Sequence, residues 1–371
     1  MTANAENQQT RVARLHGERD IRLEVATVRF PGEGEVLLRM AAAGICGSDL
    51  HYYQQGGFGP VRVREPIIPG HEASGYVAAI GVGVSGLAIG QLVAVNPSQP
   101  CGHCKFCSAG QPIHCLSMRF MGSAMRLPHE QGMFRDLMVV PARQCVPAGD
   151  LVSPGEAACA EPLAVCLHAV SHAGDVAGKR ALVTGAGPIG SLVVAVLRHA
   201  GASEIVVTDL TDAALERAEA MGATRTINVT RDANLLDGYA GEKGHFELAF
   251  ECSAAAAAIR TATELVKPRG TIVQVGVTGD VAIPLNALVG KELRYLGSQR
   301  FDKEFAIAVE LIGTRTIDVR PIISHSFPLE DAVAAFEKAG DRTAACKVQL
   351  TFSRAGRTEA MHLNLPRTEF Q

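Results

Sequence analysis

The feature that most constrains this chain is a glycine-rich turn between two apolar segments. The pattern G-x-G-x-x-G occurs in the stretch LVTGAGPIG, which runs from a predicted strand into a predicted helix. Gly185 permits a tight turn, Gly187 lets backbone approach a pyrophosphate, and Gly190 allows close helix–sheet packing. Pro188 and Ile189 begin the helix, whose N-terminus would face the phosphate charge. The stretch therefore predicts a dinucleotide-binding turn.

A carboxylate follows the next predicted strand, where such a site needs one. The strand IVVTD ends at Asp209, about where an acid meets the adenosine ribose 2′-hydroxyl. A carboxylate repels a 2′-phosphate, which favours NAD over NADP, although Arg217 and Arg225 could soften that preference. The alternative is a group of turn glycines with an acidic helix cap. The complete order of strand, glycines, helix, strand and acid argues against it.

Strands and helices alternate through the middle of the chain. The predicted strands are 180–184, 204–209, 246–252, 271–276 and 294–297. Helical patterns occur at 155–173, 189–200 and 212–221. This alternation is typical of an α/β fold with a parallel, doubly wound sheet.

The N-terminal part has a different pattern, with frequent glycines and prolines between short β-type runs. Those runs are 20–25, 35–40, 74–80 and 91–95, and strand-like residues resume over 134–146. Such punctuation is what an antiparallel barrel requires. Residues 320–352 return to strand, short helix and strand, which we expect to complete the first domain. The expected division is 1–160 with 317–354, then 161–316, with a loose tail at 355–371.

Composition limits the partners and the compartment. The net charge is −3 and no block of like charges occurs, so nothing attracts nucleic acid or an anionic membrane. The first ten residues lack the apolar core of a signal peptide, and the apolar, charge-free stretch 181–197 is too short to cross a bilayer comfortably. We therefore expect a cytoplasmic protein whose ten cysteines stay reduced.

Four cysteines lie within one 15-residue lobe. They are Cys101, Cys104, Cys107 and Cys115. Four thiolates suit tetrahedral zinc in a closed structural site, and C-x-x-C turns hold paired sulfurs at the needed separation. An accidental cluster of free thiols is the alternative, which this spacing disfavours. His103 and His114 are rival ligands, but a complete cysteine set leaves them no vacancy.

A second set of metal-type ligands is dispersed along the chain. Cys46 occurs in GICGSD, His71 and Glu72 in PGHE, and Glu161 in AEPL. Taken singly, each has an ordinary explanation as a buried thiol, a packed core histidine or a solvated carboxylate. Their glycine-flanked positions at predicted strand ends favour a joint role. Sulfur, nitrogen and oxygen ligands with a vacancy are what catalytic zinc needs.

Together these motifs resemble the zinc-containing medium-chain dehydrogenases, in the branch that oxidises polyols. The motifs GICGSD, GHE, the four-cysteine lobe, EPL and GAGPIG stand in the family's order, and the match covers about 12–352. The resemblance implies a GroES-like β-barrel catalytic domain with two zinc sites, a Rossmann NAD-binding domain and a cleft between them. It also implies a small-molecule substrate and a homodimer or homotetramer.

The resemblance implies roles for the dispersed residues. Cys46 and His71 match the ligands of the catalytic zinc. Glu161 matches the third ligand of polyol dehydrogenases, where alcohol dehydrogenases use a cysteine. Glu72 matches a catalytic carboxylate at or beside the metal, and either glutamate can ligate directly or through water.

Further candidates surround that metal. Ser48 is the expected first proton acceptor, and His51 would pass the proton outward. Their alternatives are a turn hydroxyl and an exposed loop histidine. The candidates for the substrate wall are Tyr53, Phe120, Gln299 and Arg300. An arginine there would hold sugar hydroxyls or an aldonate carboxylate.

Substrate choice rests on two stretches, 44–59 and 118–125. Both resemble the L-idonate 5-dehydrogenase subfamily first, and sorbitol and xylitol dehydrogenases next. The expected reaction is oxidation of L-idonate to 5-keto-D-gluconate with NAD. Sorbitol, xylitol or L-threonine are alternative substrates. A zinc-free nucleotide-binding reductase-like or structural relative is a further alternative, against which the joint presence of Cys46, His71 and Glu161 argues.

Overall fold

The computed structural model describes residues 7–277 and 279–352, and the predicted tail at 355–371 lies outside these ranges. The elements before the nucleotide-binding turn are β1 (Gln8–Gly17), β2 (Asp20–Val28), β3 (Glu35–Gly44), α1 (Gly47–Gln55), β4 (Gly57–Phe58), β5 (Val61–Arg62), β6 (Glu72–Ile80), β7 (Leu92–Val95), β8 (Ser98–Gln99), α2 (Lys105–Ser108), β9 (Arg119–Phe120), β10 (Leu137–Pro141), β11 (Cys145–Pro147), α3 (Pro154–Ala158), α4 (Ala160–Ser171) and β12 (Arg180–Thr184). The later elements are α5 (Pro188–His199), β13 (Glu204–Asp209), α6 (Asp212–Ala220), β14 (Arg225–Asn228), β15 (Phe246–Glu251), α7 (Ala256–Leu265), β16 (Val266–Gln274), α8 (Leu285–Gly290), β17 (Arg294–Gly297), α9 (Glu304–Gly313), β18 (Ile323–Pro328), α10 (Ala332–Gly340) and β19 (Lys347–Thr351).

The first large sheet joins strands from both ends of the chain. Its order is β11-β7-β6-β3-β19-β18, and β10 also pairs with β3. Strand β3 runs antiparallel to β6 on one edge and to β10 and β19 on the other. Gln349 of β19 pairs with Gly44 of β3, so the C-terminal strand lies beside the segment that leads to Cys46. The exact domain limits at 160/161 and 316/317 stay predictions.

The second large sheet is parallel throughout, as its sequence pattern predicts. Its order is β14-β13-β12-β15-β16-β17. Strands β12 and β13 are buried along nearly their whole length, because helices cover both faces. The strand order reverses between β12 and β15. The crevice at the carboxyl ends of strands beside such a reversal is where these sheets bind ligands.

The structure changes several sequence-based element limits, and one predicted helix becomes two. The helix expected over 155–173 is divided into α3 and α4, with Cys159 between them. Pro162 explains the division, because proline lacks the N–H of a helix interior and is tolerated only in a first turn. The strand expected at 271–276 is β16, which begins earlier, at Val266.

Three apolar cores hold the described elements together. One packs α4, α5 and α9 on the parallel sheet, a second lies under the first large sheet and includes residues of α1 and α10, and a third packs α7 on the parallel sheet. Over the residues that the structure describes, we find no helix with the length and apolar character needed to cross a bilayer.

Candidate active site and metal centres

The first ligand of the dispersed set lies where β3 leads into α1. Cys46 is the N-cap of α1, and its backbone N–H donates to Asp49 Oδ2 at 3.0 Å, while its sulfur accepts from the backbone N–H of Asp49. This is a capping box in which a thiol replaces the usual hydroxyl.

Asp49 also contacts the residues just before β6, so the same side chain joins that segment to the N-terminus of α1. Its Oδ1 accepts from the Gly70 backbone N–H at 3.3 Å and lies 3.8 Å from His71 Nδ1. Gly70 has φ +95°, and a Cβ there would overlap the Phe134 ring. Burial raises the pKa of Asp49, and the charge of His71 opposes that effect. Asp49, to which the sequence assigned no role, therefore positions two of the ligands.

The structure brings a sulfur, a nitrogen and a carboxylate oxygen together. The donor atoms of Cys46, His71 and Glu72 all lie within 4.8 Å of one another. Glu161, at the start of α4, lies beside this group rather than in it and is 5% exposed. Burial raises the pKa of Glu161 to about 7, although His71 acts to lower it. The metal-free geometry thus groups Glu72 with the two other ligands and holds Glu161 next to them.

A buried lysine completes this site, and the sequence did not indicate it. Lys347, the first residue of β19, places Nζ 2.7 Å from the Glu72 carboxylate and 3.3 Å from the carbonyl oxygen of Ile45. Burial alone would lower the pKa of Lys347, but Glu72 and Cys46 outweigh it and the net shift is upward. Glycine is required at Gly44, because a Cβ there would overlap the Glu72 carboxylate.

The cysteine lobe brings its four sulfurs together as its spacing predicts. All four sulfurs lie within 4.8 Å of one another, with Sγ–Sγ distances of 3.6 Å for Cys104–Cys107 and 4.0 Å for Cys101–Cys107. A tetrahedral zinc ion with Zn–S bonds of 2.3 Å needs sulfurs about 3.8 Å apart. Backbone N–H groups, first that of Cys107, lower the pKa of the Cys104 thiol to about 6. Cys115 Sγ accepts from the backbone N–H of Cys101 at 3.1 Å.

The glycine turn has the geometry that a dinucleotide site needs. Gly185 has φ +88°, and a Cβ on Gly190 would overlap the carbonyl oxygen of Gly185. Open space surrounds the Cβ position of Gly187, which is the N-cap of α5, and Pro188 occupies its first turn. Asp209 Oδ2 accepts from the backbone N–H of Ala186 at 2.7 Å, so the acid is held against the turn.

Two of the substrate-wall candidates lie near the ligand group. The Arg300 guanidinium carbon is 4.2 Å from the Phe120 ring centroid, and that centroid is 5.4 Å from the His71 ring centroid. Arg300 has φ +52°, an uncommon backbone conformation for a residue other than glycine. Burial lowers the pKa of Arg300, and the negative charge of Glu161 only partly offsets this by raising it. A cavity of about 500 Å³ is lined by Phe106, Ile113, His114, Cys115, Met118, Met125, Gln299 and Arg300.

The structure places Tyr53 elsewhere. Its ring is 1% exposed and packs on Phe336 of α10, and its hydroxyl donates to Glu337 at 2.7 Å. Tyr52 lies on a different side of α1, close enough to Arg300 of the cavity wall to affect the pKa of that guanidinium, and its hydroxyl accepts from the Ala124 backbone N–H at 3.2 Å. The sequence offered no signal to choose between adjacent tyrosines.

The two predicted proton carriers share one face of α1. Ser48 and His51 are three residues apart, and both are half-buried. The His51 ring centroid lies 4.9 Å from that of Phe58. Their spacing is compatible with a relay towards solvent, and their roles stay predictions.

Comparison with known proteins decides the family. The family model "Alcohol dehydrogenase GroES-like domain" matches residues 32–150, and "Zinc-binding dehydrogenase" matches residues 188–314. L-idonate 5-dehydrogenase (NAD(P)(+)) of Escherichia coli strain K12 is 41% identical over 337 residues, covering 91% of this chain and 97% of that protein. The chain belongs to the zinc-binding dehydrogenase family. It is therefore an oxidoreductase, as its motifs predict.

Two further similarities agree with this assignment. Sorbitol dehydrogenase of Macaca fascicularis is 35% identical over 329 residues, which cover 87% of this chain and 90% of that protein. The crystal structure of L-idonate 5-dehydrogenase from Escherichia coli K-12 has a TM-score of 0.90 at 40% identity, covering 94% of this chain and 100% of that one. The predicted combination of a GroES-like barrel with a Rossmann sheet is confirmed.

The residues of both clusters suit zinc. The lobe offers four sulfurs at tetrahedral spacing, which leaves no open position. The second group, Cys46, His71 and Glu72, which we call the mixed group, offers sulfur, nitrogen and carboxylate oxygen donors, and Lys347 Nζ lies 2.7 Å from each oxygen of its buried carboxylate. A cation beside Cys46 and His71 would give this carboxylate a second positive partner. The lobe therefore suits a structural ion and the mixed group a catalytic one.

Proposed function

We propose that this enzyme oxidises a secondary hydroxyl of a sugar acid to a ketone, with NAD as hydride acceptor and L-idonate as the substrate. The observation that carries the proposal is the mixed group Cys46, His71 and Glu72 beside an arginine that can pair with a carboxylate. The similarity to L-idonate 5-dehydrogenase supports the same substrate. The product would be 5-keto-D-gluconate.

The chain's own residues would prepare the substrate for oxidation. Cys46 and His71, with Glu161 or Glu72 as the carboxylate ligand, would hold a zinc ion, and that ion would lower the pKa of the substrate hydroxyl. Ser48 would then accept the proton, and His51 would carry it to solvent. Histidine is the side chain that most often serves in such proton transfers. We propose two zinc ions per chain, one in each cluster.

Arg300 is the proposed partner of the substrate carboxylate. Guanidinium–carboxylate pairs are charge-assisted and often bidentate, so a sugar acid gains an interaction that a neutral polyol lacks. The Phe120 ring beneath the guanidinium keeps it at the edge of the cavity. A single substitution of Arg300 should therefore reduce activity on sugar acids much more than activity on neutral polyols.

The test compares Arg300→Gln with the unchanged enzyme on L-idonate and sorbitol. We expect kcat/KM for L-idonate to fall by about 10- to 100-fold, equivalent to about 1.4–3 kcal/mol of lost binding. Sorbitol, which has no carboxylate, serves as the matched control and should change much less. Equal losses on both would remove the carboxylate role, and rapid turnover of sorbitol with none of L-idonate would overturn the substrate.

Sorbitol is the second candidate, because a sorbitol dehydrogenase is 35% identical over 87% of the chain. NADH formation with L-idonate, sorbitol, xylitol and L-threonine in parallel decides among them. Metal analysis decides whether the enzyme uses catalytic zinc: two zinc ions per chain support the proposal. One zinc ion, in the cysteine lobe only, would contradict it.

We also propose a preference for NAD over NADP, set by Asp209. Both carboxylate oxygens are held by backbone N–H groups, Oδ2 by Ala186 and Oδ1 by Leu210 and Thr211. Asp209→Asn retains an oxygen acceptor but removes the charge, so the kcat/KM ratio for NAD over NADP should fall. An unchanged ratio would remove this role. A homodimer or homotetramer in the cytoplasm remains our proposal, and light scattering after gel filtration tests the assembly.

A further inference from the structure

Two histidines on α4 face each other at a distance from the ligand groups described above. His168 and His172 are four residues apart and so share one helix face. Their Nε2 atoms lie 3.2 Å apart. The ring centroids are 4.7 Å apart and the ring planes meet at 79°, so the rings converge at an angle rather than end to end. Two nitrogens placed in this way can hold either a shared proton or one metal ion.

A carboxylate on the neighbouring helix orients this pair. His168 Nδ1 lies 3.1 Å from Glu304 Oε1, and the Glu304 side chain is only 9% exposed. The other oxygen of Glu304 accepts from the backbone N–H of Asp302 at 2.8 Å, which fixes the carboxylate. A histidine that donates its Nδ1 proton to a carboxylate presents Nε2 as a lone pair. Metal-binding histidines are commonly held in this way.

We propose that His168 and His172 form a binding site for a divalent transition metal ion of the nickel, zinc or copper type. Metal–nitrogen bonds of 2.0–2.1 Å across the observed 3.2 Å separation correspond to an angle of about 100° at the metal. That angle lies between tetrahedral and octahedral values. Both side chains are half-buried, so water can complete the coordination.

The lowered pKa of His172 supports metal binding by that residue near neutral pH. Burial lowers the pKa of His172, and the neighbouring His168 lowers it further, while Glu304 acts in the opposite direction. A neutral imidazole is the form that ligates metals. An ion at this position would also link α4 to α9 through Glu304, and so would raise the unfolding temperature of the protein that binds it.

The test uses the full-length, zinc-loaded enzyme and nickel chloride, with nickel and zinc counted after equilibrium dialysis. We expect one nickel ion per chain with the zinc content unchanged, and a higher unfolding midpoint in the presence of nickel. His172→Gln and, independently, His168→Gln should bind no nickel at this position. His199→Gln is the matched control, because that histidine is exposed at the end of α5 and should leave nickel binding intact.

Glu304→Gln separates a built site from general histidine binding. It leaves both imidazoles in place but removes the charged acceptor, so nickel affinity should fall by about 10- to 100-fold. Unfolding midpoints without nickel show whether each variant is folded. Equal nickel uptake by the unchanged enzyme and both histidine variants would overturn the proposal, as would nickel uptake matched by loss of zinc.

Discussion

The two zinc-type clusters of this enzyme are built in opposite ways. The cysteine lobe takes its four sulfurs from one 15-residue stretch, and the backbone N–H groups of Cys101 and Ser117, in or next to that stretch, donate to the Cys115 sulfur. The mixed group takes Cys46 from the N-cap of α1 and His71 and Glu72 from the start of β6. Its glutamate is paired with Lys347, 275 residues away in sequence.

This difference indicates that one cluster stabilises the fold and the other carries out the chemistry. The lobe has no open coordination position, so its metal can only hold the loop together. The mixed group depends on strand pairing between β3, β6 and β19. Its three donors would leave one coordination position of a tetrahedral ion for a substrate. Substitutions in the two clusters should therefore affect different measurements.

The largest effect is expected from His71→Ala. We expect kcat/KM to fall by about 10³- to 10⁴-fold, because the metal's stabilisation of developing charge is worth several kcal/mol. NADH formation measures the loss, and metal analysis should show one zinc ion fewer. His103→Gln is the control, since His103 lies in the lobe as a non-ligand and should keep both ions. A His71→Ala enzyme that kept its activity and both zinc ions would contradict the catalytic role assigned to the mixed group.

Lys347→Met should give the next largest effect, on stability. It leaves Glu72 as an unpaired buried charge, which costs about 3–5 kcal/mol of unfolding free energy. The loss should be greater in zinc-depleted protein, because a bound ion offers the carboxylate another partner. Urea unfolding with and without zinc measures both values. Lys347→Arg keeps the charge and should lose less; equal losses would show that packing rather than charge matters.

Cys104→Ser tests the lobe alone. We expect one zinc ion fewer per chain and an unfolding midpoint roughly 5–10 °C lower, while kcat falls less than in His71→Ala. Calorimetry and metal analysis check this. Cys145→Ala, a buried cysteine of β11 outside the lobe, should retain both zinc ions. A Cys104→Ser protein with normal stability and lost activity would reverse the roles assigned to the clusters.

The smallest effect separates two adjacent tyrosines near the mixed group. Tyr52→Phe and Tyr53→Phe should each cost about 1 kcal/mol, since each removes one hydroxyl with a hydrogen-bond partner. Only Tyr52→Phe should change the KM for substrate, because Tyr53 packs on α10. Steady-state kinetics and urea unfolding distinguish the two outcomes. A KM change confined to Tyr53→Phe would contradict this placement.

Local spacing accounts for most of what the sequence predicted. The nucleotide turn and the cysteine lobe each depend on residues a few positions apart, and the structure has both with the expected geometry. Strands 180–184, 204–209 and 294–297 have their predicted limits because short apolar runs between turn residues mark them clearly.

The tyrosines show what periodicity leaves open. Successive residues of a helix point about 100° apart, so Tyr52 and Tyr53 cannot both face the cavity. Which one does so depends on how α1 packs against α10, and no pattern within α1 contains that information. The sequence-based choice of Tyr53 for the substrate wall therefore could not be checked without the tertiary structure.

The amino-acid sequence by itself determined the parallel nucleotide-binding sheet and the closed cysteine cluster, because each depends on local patterns, and the order of its dispersed motifs gave the resemblance to the zinc-containing dehydrogenases. Only the tertiary structure decided that Glu72 joins Cys46 and His71, that Asp49 holds two of them, and that Lys347 neutralises the glutamate. The physical reason is that a buried charge takes its partner from whatever the packing of distant segments places within reach. Glu72 is on β6, and β19, from the far end of the chain, pairs with β3 on the side away from β6, so Lys347 reaches the carboxylate past Gly44 of β3.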